Sequence, residues 1–229
     1  MLILGLTKTT LLDYPGKVAA TVFTGGCNFR CPFCHNGQLV TNTFNEPAIS
    51  EEEVLEHLKR RRNILGGVCI TGGEPTLQSD LPEFLSRIKE LGYMIKLDTN
   101  GSNPNMLADL TEKGLIDYVA MDIKNTPEKY KLTTLCSERL LENVKKSVEF
   151  LKTDVIPYEF RTTVVRELHT KKDLEDIAVF IDGCQSWFIQ SFKDSENVIE
   201  RRFSAYSGNE LAAMTADIKN IDVKLRGVE

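Results

Sequence analysis

The sequence predicts an α/β fold in which helices cover a mostly parallel sheet. Short runs of β-branched and aromatic residues alternate with longer amphipathic stretches, which is the pattern of repeated βα units. The 229 residues suffice for one domain with a sizeable core, and no low-complexity linker interrupts them. We therefore expect a single domain over residues 1–229. Hydrophobic residues make up 41% and charged residues 27%, as in an ordinary soluble globular protein.

The strands are predicted from short runs with high β-propensity. Six such runs are Val18–Phe23, Val68–Thr71, Met94–Asp98, Tyr118–Ile123, Tyr158–Val165 and Trp187–Phe192. The last segment, Asp222–Arg226, is a candidate seventh strand.

The helices between these strands have recognisable start and stop signals. Ser50 with Glu53 forms a capping-box pattern, and Asp80 with Glu83 repeats it before a stop at Gly92. Further helices are predicted over Asn105–Lys113, Glu138–Lys152, Asp173–Ile181 and Asn209–Asn220. Six βα units are too few for a closed eight-stranded barrel, and a doubly wound open sheet also fits. Both architectures place their chemistry at the carboxyl ends of the strands.

Charge and hydropathy exclude several classes of function. The net charge of -5 provides no broad basic field for a nucleic-acid backbone. No run reaches the roughly 18 apolar residues of a membrane-spanning helix, and the first residues lack the basic region of a secretory leader. We expect a cytoplasmic protein with neither a nucleic-acid nor a membrane partner. In a reducing compartment, clustered thiols indicate metal or redox chemistry.

Three of the six cysteines, Cys27, Cys31 and Cys34, lie within eight residues directly after the first predicted strand. Soft thiolate ligands at this spacing can converge on one metal centre. A [4Fe-4S] cluster normally has four cysteine ligands, so three leave one iron open to a ligand from outside the protein. A tetrahedral zinc site that adds His35 is the alternative. Cys69, by contrast, lies inside a predicted strand and is interpreted as core.

The cysteine loop resembles that of a known superfamily. Cys-x3-Cys-x2-Cys with the aromatic Phe33 before its third cysteine resembles the cluster loop of radical S-adenosylmethionine (SAM) enzymes. A wider resemblance is to the activating enzymes of glycyl-radical enzymes, above all those of anaerobic ribonucleoside-triphosphate reductase. The segments that carry it are Thr10–Lys17, Cys27–Asn36, Thr71–Pro75, Asp98–Gly101 and Asp122–Lys124.

This resemblance implies a fold, two cofactors and a reaction. The fold is a partial (β/α)6 TIM-like barrel of parallel strands with outer helices, and the cofactors are a [4Fe-4S] cluster on Cys27, Cys31 and Cys34 and SAM on its open iron. A one-electron donor such as flavodoxin or ferredoxin would drive cleavage of SAM to methionine and a 5′-deoxyadenosyl radical. That radical would abstract a hydrogen atom from a glycine Cα of a partner, expected to be anaerobic ribonucleoside-triphosphate reductase.

Two alternatives to this oxidoreductase remain open. The first is a radical SAM enzyme with a small-molecule substrate, such as a 7-carboxy-7-deazaguanine synthase. The second is a zinc-stabilised interaction module held by the three clustered cysteines and His35.

The resemblance also implies SAM contacts along the strand ends, beginning with Phe33, Gly72, Gly73 and Glu74. The two glycines let a backbone approach a ligand closely, although glycine pairs also form ordinary turns. We therefore expect Gly73→Val to hinder SAM binding and to leave cluster assembly largely intact.

Charged residues close the third, fourth and fifth strands. Asp98 and Thr99 can hold a cation, orient the methionine end of SAM or cap a helix. Asp122 and Lys124 share one strand face, where a zwitterionic ligand would supply the partners that buried charges need. Arg161 is predicted either to bind the SAM carboxylate in a fork geometry or to form a salt bridge.

Overall fold

The computed structural model describes residues 1–41 and 47–228, in which eight strands form one sheet in chain order. They are β1 Ile3–Thr10, β2 Ala19–Thr24, β3 Gly67–Gly72, β4 Met94–Thr99, β5 Tyr118–Asp122, β6 Tyr158–Val164, β7 Trp187–Ser191 and β8 Val223–Arg226. β1 runs antiparallel to β2, and each later pair of neighbours is parallel. The predicted parallel α/β fold is therefore confirmed.

Helices connect the parallel strands and cover one face of the sheet. They are α1 Gly37–Thr41, α2 Glu51–Arg60, α3 Leu81–Glu90, α4 Pro104–Glu112, α5 Tyr130–Thr134, α6 Glu138–Leu151, α7 Lys171–Phe180 and α8 Gly208–Thr215. Ser50 caps α2 by accepting from the Glu53 amide, as predicted, whereas the Asp80 side chain makes no capping hydrogen bond. The helix predicted from Asp173 begins two residues earlier because Thr170 forms a capping box with Asp173. None of the described helices is long and apolar enough to cross a bilayer.

The sheet is an open, curved one, with β1 and β8 at its two edges. Lys96 on β4 and Arg226 on β8 line the same cavity although four strand steps separate them, so the sheet bends around its inner face. This is the partial barrel expected from the resemblance. β1 was not predicted, because its half-exposed sequence has no strict alternation and its pairing with β2 is not a local property.

The two faces of the sheet differ in polarity. Outward-facing residues such as Leu97, Met121 and Phe160 belong to the hydrophobic core under the helices. Their strand neighbours point inward and include Asp98 and Arg161, which form a salt bridge with each other. The inner face is therefore a polar cavity wall rather than a packed apolar core.

Candidate active site

The three clustered cysteines meet at the carboxyl ends of the strands. Cys27, Cys31 and Cys34 lie on the loop between β2 and α1, and all three line one cavity of about 200 Å³. The thiols are free of disulfides. The Cys34 amide donates to the Cys31 carbonyl oxygen at 3.0 Å, and the Arg30 amide donates to the Thr134 carbonyl oxygen at 2.8 Å. The second bond fastens the loop to the end of α5.

The environment of these thiols suits metal ligation. Burial raises the pKa of Cys27 to about 11 and that of Cys31 to about 12, and it also raises the pKa of Cys34. Lys124 acts in the opposite direction on all three. A metal centre that binds thiolates overcomes this burial penalty, since metal binding displaces the thiol protons.

The spread of the thiols favours a cluster over a single zinc ion. Among residues 1–41 and 47–228, no three His, Cys, Asp or Glu side chains converge closely enough to hold one metal ion. A [4Fe-4S] cube binds each thiolate to a different iron, so its ligands stand farther apart than those of tetrahedral zinc. His35 instead packs its ring against Phe192, with the centroids 5.1 Å apart. The residues present therefore fit the cluster better than the zinc alternative.

A long segment after β7 braces the cysteine loop, and sequence patterns did not reveal it. The Glu200 amide donates to the Pro32 carbonyl oxygen at 2.8 Å, and the Gly37 amide donates to the Asn197 carbonyl oxygen at 3.1 Å. Phe203 packs edge-on against Phe33, with ring centroids 5.9 Å apart. Phe33 lines the cavity, and the contact with Phe203 holds its ring in place.

The glycine pair lies against the backbone of the cysteine loop. A Cβ on Gly73 would lie 2.0 Å from the Gly26 carbonyl oxygen, and one on Gly72 would lie 2.4 Å from the backbone of Thr24. The Gly73 amide donates to the Thr24 carbonyl oxygen at 2.9 Å. Both glycines line the cavity, and their predicted contact with SAM stays a prediction. The expectation that Gly73→Val spares cluster assembly stays a prediction, but a side chain there would meet Gly26, the residue that precedes Cys27, so we now expect cluster assembly to suffer as well.

Glu74 lies behind the cavity wall and joins the ends of β3 and β4. Its carboxylate is fully buried and accepts from the Thr76 amide, the Thr76 and Thr99 hydroxyls and the Asn100 amide, at 2.6–3.1 Å. Burial raises the pKa of Glu74, and these donors oppose the rise by stabilising the ionised form. In place of the predicted SAM contact, we propose that Glu74 positions Thr99 and Asn100.

Glu74→Gln is expected to lower the free energy of unfolding by about 1.5–3 kcal/mol, because each Glu74 oxygen accepts from a backbone N–H. A glutamine NH2 group at either position would face a donor. Urea denaturation of the apo protein measures the change. The exposed Glu112→Gln is the matched control and is expected to stay within about 0.5 kcal/mol of wild type. Equal stability of both variants would contradict the bracing role.

Asp98, Asp122, Lys124 and Arg161 form a paired layer in the cavity. Arg161 donates from Nε to Asp122 at 2.9 Å and from Nη1 to Asp98 at 3.2 Å. Lys124 Nζ lies 2.9 Å from Asp122, and Lys96 pairs with Asp98. Burial acts to raise both carboxyl pKa values, but Arg161 outweighs it, together with Lys96 at Asp98 and Lys124 at Asp122. The pKa of Asp98 is lowered, and that of Asp122 falls to about 2.

These contacts show the salt bridges predicted for Arg161, while its predicted contact with SAM, and those of the acids, stay predictions. Arg161 forms salt bridges within the protein, and Asp122 and Lys124 are partners of each other before any ligand binds. Helix capping by Asp98 or Thr99 does not occur, since Asn103 caps α4 by accepting from the Met106 amide. All four members of the layer, and Thr99, line the cavity with the cysteines.

Two further residues hold the site and were missed from the sequence. His169 is fully buried and bonds through Nε2 to the Lys124 carbonyl oxygen at 2.9 Å, while Nδ1 accepts from the Val165 amide at 3.2 Å. Burial lowers the pKa of His169. Asn100 Nδ2 lies 3.7 Å from the Cys27 sulfur and 3.0 Å from Asn28 Oδ1. No local sequence signal marks His169, whereas Asn100 belongs to the segment Asp98–Gly101.

A comparison with protein families accounts for this arrangement. The model of the radical SAM superfamily matches residues 21–181, more than half of the chain. The chain belongs to the radical SAM superfamily. Membership confirms the predicted enzyme class and the [4Fe-4S] cluster and SAM as the cofactors of this radical SAM protein, while the assignment of single residues to them stays a proposal.

Individual relatives narrow the class of radical SAM enzyme. A Methanocaldococcus jannaschii protein named as a glycyl-radical enzyme activating enzyme is 34% identical over 85% of this chain and 81% of its own length. The pyruvate formate-lyase-activating enzyme of Clostridium pasteurianum is 30% identical over 96% of this chain and 87% of its own. These relatives are enzymes of the activase type, and this radical SAM chain is similar to them over most of its length.

The fold is shared with a solved structure. Streptococcus suis SuiB bound to SAM superposes with a TM-score of 0.69 at 14% identity, covering 88% of this chain and 48% of that one. At this identity the likeness shows the fold alone. It agrees with the open sheet of parallel strands described above.

Proposed function

We propose that this chain activates a glycyl-radical enzyme, and that anaerobic ribonucleoside-triphosphate reductase is its partner. The observation that carries the proposal is that Cys27, Cys31 and Cys34 line the same cavity as Gly73 and Lys124. Similarity to two activating enzymes over more than four fifths of the chain supports the activase class. The choice of the reductase rests on the sequence segments that resemble its activating protein.

The residues of the cavity have distinct proposed roles. Cys27, Cys31 and Cys34 ligate the cluster, and Asn100 Nδ2 lies near the Cys27 sulfur, where hydrogen bonding tunes a cluster's potential. Lys124 places a cation beside the thiols, where its charge would favour the carboxylate of SAM, while Gly73 presents backbone to the same cavity. When bound and reduced by an external one-electron donor such as flavodoxin or ferredoxin, the cofactors supply methionine and a 5′-deoxyadenosyl radical.

The ionisation of the cavity residues supports radical chemistry over acid–base chemistry. Asp98 and Asp122 are both ion-paired, and both have pKa values below the ordinary range. A general acid or base works best when its pKa lies near the operating pH. Abstraction of a hydrogen atom needs neither group, so the protein supplies ligation, orientation and exclusion of water.

Anaerobic incubation of the reconstituted chain with SAM, a reductant and the reductase is expected to produce a glycyl radical. The measurement is an electron paramagnetic resonance doublet on the reductase, with methionine and 5′-deoxyadenosine as products. Omission of SAM is the control. If no candidate glycyl-radical enzyme gains a radical but a small metabolite is consumed, the activase function is wrong. Uptake of one zinc equivalent without iron would contradict the whole radical SAM assignment.

A further inference from the structure

Two neutral polar side chains near the ends of β6 and β7 form part of the cavity wall. Thr163 on β6 and Gln190 on β7 are register partners in neighbouring strands. Both line the cavity that holds the three cysteines. Gln190 also lines an adjoining cavity of about 250 Å³, together with Asp98 and Arg161. The Gln190 amide therefore lies where two cavities meet and is not buried in packing.

These two side chains differ from their charged neighbours in having no partner. Within the described part of the chain, neither the Thr163 hydroxyl nor the Gln190 amide makes a hydrogen bond. Arg161, two positions before Thr163 on the same strand, is held by two carboxylates, and Lys124 is held by Asp122. The charges of the cavity are thus satisfied within the protein, while a neutral donor–acceptor pair stays open to a ligand.

The chemistry of this pair matches a peptide backbone. A glutamine amide offers two N–H donors and a carbonyl acceptor, and a threonine hydroxyl can donate or accept. A peptide unit presents one N–H and one C=O, so it can bond to Gln190 in both directions. Thr163 and Gln190 carry no charge, so their part of the wall suits a neutral peptide unit, whereas the adjacent charge of Arg161 is paired with Asp98 and Asp122.

We infer that Thr163 and Gln190 bind the backbone of the glycine segment that donates the hydrogen atom. This inference rests on the proposed function and names the residues that recognise its substrate. The hydrogen atom passes from the glycine Cα to C5′ of the deoxyadenosyl radical and completes 5′-deoxyadenosine. The unpaired electron stays on the glycine Cα, so no further oxidant or proton acceptor is needed.

The test uses the reconstituted protein, SAM, a reductant and the peptide acetyl-Ala-Gly-Ala-amide with both glycine Cα hydrogens replaced by deuterium. Mass spectrometry measures the fraction of 5′-deoxyadenosine that contains deuterium. Gln190→Leu and Thr163→Val, which keep side-chain size and remove the polar atoms, are each expected to lower this fraction about three- to tenfold, as loss of a neutral hydrogen bond implies. Gln185→Leu, at an exposed site outside the cavity, is the matched control and is expected to retain the wild-type fraction.

A second peptide isolates the contact from any structural effect of the substitution. Replacing the glycine by deuterated N-methylglycine removes the N–H that Gln190 would accept. The wild type is expected to prefer the glycine peptide, and Gln190→Leu is expected to lose that preference, since a mutant cycle reports the contact itself. Denaturation midpoints of the apo proteins check that each variant folds.

The outcomes separate this inference from the proposed function. Absence of deuterium transfer in the wild type, with SAM still cleaved, contradicts the proposed action on a peptide glycine. Transfer that is equal in wild type and Gln190→Leu, with an unchanged preference between the two peptides, overturns the inference and leaves the function standing. A larger dissociation constant for SAM in Gln190→Leu than in the wild type, measured by equilibrium dialysis, assigns Gln190 to SAM binding and also overturns the inference.

Discussion

Cys31→Ala is expected to reduce SAM cleavage to background and to prevent assembly of a stable cluster. Among the residues that the structure describes, three cysteines line the cavity, and a cube held by two thiolates would have two irons without protein ligands. Loss of a residue that hydrogen-bonds to a metal ligand typically lowers metal affinity or activity about 10–100-fold. Loss of a ligand itself should therefore lower activity by more than roughly 100-fold. The measurements are iron and sulfide content after anaerobic reconstitution and the rate of 5′-deoxyadenosine formation.

Cys184→Ala provides the matched control for this experiment. Cys184 is also a buried, free cysteine, but it lies at the end of the turn after α7, away from the cavity lining. Its replacement is expected to preserve iron content and SAM cleavage. Near-normal cleavage in Cys31→Ala, or an equal loss in Cys184→Ala, would show that the ligands are assigned incorrectly.

Gly73→Ala is expected to impair both cluster loading and SAM binding. The new Cβ would lie 2.0 Å from the oxygen and 2.6 Å from the carbon of the Gly26 carbonyl group. The backbone must therefore move. This movement would disturb the hydrogen bond that the Glu74 amide donates to the same Gly26 oxygen. Overpacking of this kind costs about 1–3 kcal/mol of stability. Since Cys27 follows Gly26, we expect the displacement to reach the cluster ligand.

The control for this change is a glycine with open space around it. A Cβ on Gly66 would meet nothing closer than 3.9 Å, and Gly66→Ala is expected to change stability by no more than about 0.5 kcal/mol. Iron content, SAM affinity and the denaturation midpoint are measured for both variants. Full iron content with lost SAM affinity in Gly73→Ala would mean that SAM, and not Gly26, occupies the space beside this glycine.

Much of the fold could be predicted because its signals are local. The strands from β2 to β7 alternate with amphipathic helices, and periodicity records which residues face the core. The end of α8 was placed five residues too late, at Asn220 instead of Thr215, because helix ends depend on local capping that the sequence marks weakly there. β1 and α5 were missed, since β1 is an edge strand with mixed burial and α5 has only five residues.

In the candidate site, too, the features with local signals could be predicted and those set by distant contacts could not. The cysteine spacing placed three thiols on one loop, and the rule for strand ends placed Gly72, Asp98 and Lys124 beside them. The partners of these residues could not be predicted. Whether Arg161 pairs with two carboxylates depends on strands β4 and β5, which lie about 60 and 40 residues earlier in the chain, respectively. His169 reaches Lys124 across a similar separation.

By itself, the sequence determined the chemistry of this protein: three clustered thiols, a parallel α/β framework and polar residues at its strand ends. These properties depend on residue type and short spacing, which the chain carries locally. Only the tertiary structure decided that Glu74 braces β4, that Gly73 touches Gly26 and that the charged layer is paired within the protein. Such contacts join residues far apart in the chain, and the curvature of the sheet sets their distances. The same curvature brings Thr163 and Gln190, without partners of their own, to face the cysteines across one cavity.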